Sequence, residues 1–83
     1  MTEINRKIIH VLELSNELLE VGNDGIECQV DNSCGILFGI LRDCAFRLQQ
    51  LAEKEIELHQ QNGLFDDEDS KELIRFRQQD AVH

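Results

Sequence analysis

The stretch from Ser33 to Gln61 constrains this chain most, because it is apolar around too much of a helix to stand alone. Leu37, Leu41, Cys44, Leu48, Leu51 and Leu58 recur at alternating four- and three-residue steps, a series that Glu55 interrupts. That spacing is the seam of a coiled coil. Ile36, Phe38, Ile40, Ala45, Ala52 and Ile56 widen it on both sides. At 100° per residue these positions span an arc of roughly 200°, where a surface helix usually shows a stripe of about 100°. One neighbouring helix covers about half of such an arc. The remainder needs the C-terminal segment or a second copy of the chain, since a bare patch invites aggregation.

A first helix is expected over Glu3 to Val21. Ile4, Ile8, Val11, Leu12, Leu18 and Leu19 share one face, Thr2 is positioned to cap the first turn, and Gly22 is expected to stop the helix. Asn23-Asp24-Gly25 carries a turn signal. The alternation of Ile26, Cys28 and Val30 with Glu27, Gln29 and Asp31 suggests a short extended piece or an ordered loop. Asp31, Asn32 or Ser33 can cap the second helix, and Gly63 ends it. Asp66 to Asp69 is an acidic run suited to a helix start, so a third, short helix is expected over Asp67 to Gln79. It would present Leu73, Ile74 and Phe76, with Leu64 or Phe65 stapled onto it. The last residues are expected to fray.

The expected fold is therefore all-α: an antiparallel helical hairpin with a short C-terminal helix, forming a four-helix-type bundle in a homodimer. Residues 1–83 make one domain, with 1–63 the hairpin core and 64–83 the acidic segment and short helix. The composition supports helices, because the chain contains no proline to interrupt one. With 83 residues, a chain has a high surface-to-volume ratio and gains from a partner.

The net charge of −9 argues against nucleic acid, whose binding rests on Lys and Arg displacing counterions, and against anionic membrane surfaces. A basic protein partner, or simple solubility, fits better. Glu13, Glu17, Glu20, Asp24 and Glu27 form a candidate acidic docking face, and no Lys or Arg occurs between Lys7 and Arg42. No apolar run approaches the roughly 20 residues of a membrane span, and the N-terminal stretch does not read as a signal peptide. The three cysteines, an odd number, suit reduced thiols in a cytoplasm.

Few residues point to chemistry. Cys34 falls in the first turn of the second helix, where helix amides can activate a thiol, and Cys28 lies across the turn; both are candidate reactive thiols. Cys44 reads as a small core hydrophobe. His10, Glu13 and Glu17 could hold a surface cation loosely, but neither a zinc-ligand spacing nor a Glu-x-x-His pattern is present. No metal, cofactor or catalytic residue is assigned, and an enzyme is not expected. His59 is expected to be a solvated helix-end histidine. Asp43 and Arg47, one turn apart, can pair on the rim of the apolar arc, while Arg42 points to another helix or subunit. These three are candidate register-fixing ions. Gly39 reads as a close-approach position for another helix or for Phe46.

The run from Asp31 to Phe46, through Cys34-Gly35, Phe38-Gly39 and Arg42-Asp43-Cys44-Ala45-Phe46, resembles a pattern found in short bacterial helical proteins of unknown function. The resemblance extends loosely from Leu12 to Glu55. It implies a bacterial origin and a helical hairpin, and it brings no activity.

Three functions are compatible with these features: a homodimeric interaction or regulatory module, a thiol-based sensor or carrier using Cys34 with Cys28, and an acidic mimic that inhibits a nucleic-acid-binding protein. For the first, the arc of the second helix divides into two surfaces. One, around Ile40, Cys44, Leu48 and Leu51, is assigned to the first helix. The other, around Phe38, Ala45, Ala52 and Ile56, is assigned to the dimer interface or the C-terminal segment. The sequence leaves open which surface takes which partner.

Overall fold

Three helices follow one another along the chain in a computed structural model: α1 over Glu3–Cys28, α2 over Asn32–Gln61 and α3 over Asp67–Ala81. The structure describes residues 3–28 and 30–81, with side chains through Gln78. Thr2, expected as a cap, and the final residues lie outside that range. The described residues contain no strand, so the all-α expectation holds. The hairpin of α1 and α2 carries α3 at one end.

The first helix does not stop at Gly22. It runs through the expected turn and through Ile26 to Cys28, and the two glycines have another role. A methyl group at Gly22 would sit 3.2 Å from Arg42 Cβ, and one at Gly25 would fall inside the Phe38 ring. Glycine weakens a helix interior by about 0.5–1 kcal/mol relative to alanine. Here that loss is offset by the close approach of α2, whose Phe38 lies over Gly25. Gly39, by contrast, faces open space, which corrects its expected role as a contact position.

The helix ends follow the sequence more closely. Asp31 caps α2, its Oδ1 accepting from the Cys34 amide at 2.8 Å and from Ser33 Oγ at 2.9 Å. These bonds, the Cys34 amide first, hold the Asp31 carboxyl below the usual range. At the other end Gly63 adopts φ +70°, and the Gly63 and Leu64 amides turn back onto Gln60 O and His59 O at 3.3 and 2.8 Å. This is a Schellman closure, which needs a residue that tolerates the left-handed region. Asp66 and Asp69 cap α3 reciprocally: the Asp69 amide donates to Asp66 Oδ1 at 2.8 Å and the Asp66 amide to Asp69 Oδ2 at 3.1 Å. The Asp69 amide also lowers the Asp66 carboxyl from its ordinary value.

The core sits where all three helices meet. Ile9 and Leu12 from α1, Ala52 and Ile56 from α2, and Leu73 from α3 are buried together, with Ile8, Val11, Phe65 and Phe76 packed around them. Phe65 takes the place expected of Leu64 or Phe65, while Leu64 and Ile74 remain exposed. The molecule measures 48 × 23 × 17 Å with a radius of gyration of 15.1 Å, against about 12 Å for a compact domain of this length. A rod of this shape leaves much apolar surface in water.

Candidate interaction surface

Two features of the hairpin stand out, one closed and one open. The closed one is a polar cluster at the α3 end. Asn5, fully buried on α1, donates from Nδ2 to Leu64 O and to Asp69 Oδ2, both at 2.7 Å. Those two acceptors fix the amide orientation, so Asn5 Oδ1 is an acceptor. His59 Nδ1 lies 2.6 Å from it and therefore carries the proton. His59 Nε2 faces Glu55 Oε2 at 3.6 Å. Asp69 is fully buried, and its Oδ1 has no hydrogen-bond partner among the described residues. One asparagine thus ties together side chains of all three helices and the α2–α3 connection.

His59 is consequently a half-buried clamp residue and not the solvated histidine expected. The cluster is legible in retrospect. Asn5, His59 and Asp69 stand in register with buried apolar positions on their own helices, in the series 5-9-12, 52-56-59 and 69-73-76. Each continues its apolar face by one turn with a polar side chain. The chemistry available here is cohesion: the oriented amide and the imidazole hold one another and the α3 cap.

The open feature is a face of α2. Leu37, Ile40, Cys44, Leu48 and Leu51 are all exposed, Leu37 at 61 % and Leu51 at 53 %. Beside them a shallow groove of about 180 Å³ runs between α2 and α1, lined by Ile8, Val11, Leu48, Leu51, Ala52 and Glu55. The inner half of the apolar arc is the one around Ala45, Ala52 and Ile56, assigned to the dimer interface or the C-terminal segment. These three are buried within the chain, Ala52 and Ile56 against Leu73 of the C-terminal helix as well as Ile9 and Leu12 of α1, and Phe38 is half-buried over Gly25. Cys44, Leu48 and Ile40, assigned to α1, face outward. On the inner side Gly22 and Gly25 of α1 permit the close approach of Arg42 and Phe38 of α2.

The remaining candidates are distributed as follows. Arg42 Nη1 reaches Asn23 Oδ1 at 3.5 Å, an α1–α2 contact, whereas Asp43 and Arg47 are exposed and make no hydrogen bond or ion pair with any described residue. Gln49 Nε2 donates to Asn16 Oδ1 at 2.8 Å, setting the hairpin register. Because α1 is continuous, Glu13, Glu17, Glu20, Asp24 and Glu27 share one face, all exposed, along about 21 Å of helix. All three cysteines are free thiols. Cys28, at the end of α1, and Cys44 are exposed; Cys34 is half-buried, its amide bonded to the Asp31 carboxylate. Among the described residues no group of three or more His, Cys, Asp or Glu could hold a metal ion, and no helix is long and apolar enough to cross a membrane. Neither a family model, nor a curated protein, nor a solved structure matches the chain.

Proposed function

We propose that the protein is a homodimeric helical interaction module that pairs through the open face of α2 and its groove with α1. The observation that carries this reading is the exposed row Leu37, Ile40, Leu48 and Leu51, a coiled-coil-like seam with no helix of its own chain upon it. The row from Leu37 to Leu51 runs about 21 Å along α2, and with the adjoining α1 groove it forms the patch a second copy would cover, where a standard interface buries about 800 Å² per partner. A second copy presents the same face, which gives a closed two-fold assembly. Sedimentation equilibrium tests the reading directly. The native chain should be a dimer at micromolar concentration, and Leu48→Glu with Leu51→Glu should be a helical monomer. A native chain that stays monomeric and binds no hydrophobic dye would overturn it. Each copy carries −9, so added salt should tighten the pair by screening their mutual repulsion.

The five carboxylates aligned on α1 favour a second, compatible reading, a docking face for a basic protein. Retention of such a partner should fall as salt rises, and should be lost when Glu17, Glu20 and Asp24 are neutralised. Salt-independent capture would count against it.

A further inference from the structure

The open face has an internal symmetry that fixes how a second copy would lie on it. Resting on the homodimer reading, we propose that the two copies pack antiparallel, α2 on α2, across a two-fold axis beside Cys44. Leu37 and Ile40 precede Cys44 by seven and four residues, and Leu48 and Leu51 follow it by four and seven. All are exposed. An antiparallel pair centred there sets Leu37 of one copy on Leu51 of the other, and Ile40 on Leu48, without a gap or an overhang.

The charges obey the same centre. In an antiparallel pair like edges meet, so the α2 edge carrying Asp43 and Arg47 faces its own copy. Arg47 of one copy then lies against Asp43 of the other, twice, by symmetry. Both side chains are exposed and without a hydrogen-bond or ion-pair partner among the described residues of the single chain, although one turn apart they could have paired.

The alternative two-fold, with the copies of α2 parallel, sets this edge against α1 of the second copy. The Asn16–Gln49 and Asn23–Arg42 contacts place residues 43 and 47 level with Val21 and the Glu17–Leu18 turn. No Lys or Arg lies in that stretch of α1, so Asp43 would have no counter-charge there. In the antiparallel pair the same stretch of α1 lies level with its own copy, centred on Val21.

The arrangement makes Cys44 the residue nearest the axis, with the two thiols facing each other. Cys34, ten residues away, is separated from its copy by about 30 Å along the helix. Full-length single-cysteine variants and a short bis-maleimide read this out. The Cys28→Ser/Cys34→Ser chain, which keeps Cys44, should give a covalent dimer at dilute protein. The chain that keeps only Cys28, which is equally exposed, should not. Arg47→Asp should weaken the dimer about tenfold, and Asp43→Arg/Arg47→Asp should recover most of that loss. A dimer by sedimentation that fails to cross-link through Cys44, or a double reversal no better than the single, would overturn the antiparallel register and leave the homodimer standing. A monomer by sedimentation would remove both.

Discussion

The two ends of the hairpin solve the same problem in different ways. At the α3 end, large side chains from three helices fill the interior and a polar cluster closes it: Ile9, Leu12, Ile56 and Leu73 below, Asn5, His59 and Asp69 above. At the other end only two helices meet. They come close because Gly22 and Gly25 admit α2, while Ile36, Leu37 and Ile40 of α2 stay exposed. The short third helix is what completes a core here. Where it is absent, the chain closes its backbone distance instead and exports its apolar surface.

That contrast can be broken most strongly at the closed end. Leu12→Ala should destabilise the fold by about 2–5 kcal/mol, as buried leucine truncations do. Asn5→Ala should lose about 3 kcal/mol, because it strips hydrogen bonds from the buried Asp69 and from His59 at once. For a chain of this length either is a large share of total stability, and urea denaturation followed by circular dichroism measures both. If Asn5→Ala unfolds at the native midpoint, the cluster is not what secures α3.

Gly25→Ala tests the open end. In a bare helix the change would help, but here the added methyl collides with Phe38, so a loss of about 1–3 kcal/mol is expected. Phe38→Leu in the same chain should return part of it. A stabilised Gly25→Ala variant would mean that the close approach is not required.

A smaller effect is expected from Leu51→Glu. Under dilute conditions, where the chain is monomeric, its stability should change by no more than about 0.5 kcal/mol, the usual range for surface positions. Association should nevertheless be lost. A large loss in the monomer would place Leu51 in the core.

The smallest effect is an acid one, and it reaches both ends. Asp31 and Asp66 are lowered by the amides they cap. A depressed carboxyl contributes stability that is fully present above its unfolded value, near pH 4, and is lost as pH falls through the lower folded value. Below about pH 4 the starts of α2 and α3 should therefore fray before their centres. Hydrogen exchange at the Cys34 and Asp69 amides, compared between pH 5 and pH 3 after correction for intrinsic rates, measures this.

Much of the architecture was readable from residue order. The helical periods of all three segments, the Asp31 cap, the left-handed Gly63 closure and the acidic start of α3 are local matters, decided by side chains within a few residues of the backbone they act on. The end of α1 was not. Asn23-Asp24-Gly25 reads as a turn by local preference, and the packing of Phe38 over Gly25 overrides it. The polar clamp left a trace, since Asn5, His59 and Asp69 extend apolar registers, but the trace says only that each is buried and not that they meet.

The sequence by itself determined that α2 carries more apolar surface than one neighbour can hide, because the width of a helical arc follows from residue spacing alone. Only the tertiary structure decided which half of that arc goes inside. The choice turned on how α1 meets α2, with Phe38 and Arg42 close over Gly25 and Gly22 and Ala52 and Ile56 joining Ile9, Leu12 and Leu73 in one core. Steric fit between distant segments is a property of the pair. It left Leu37, Ile40, Cys44, Leu48 and Leu51 facing outward.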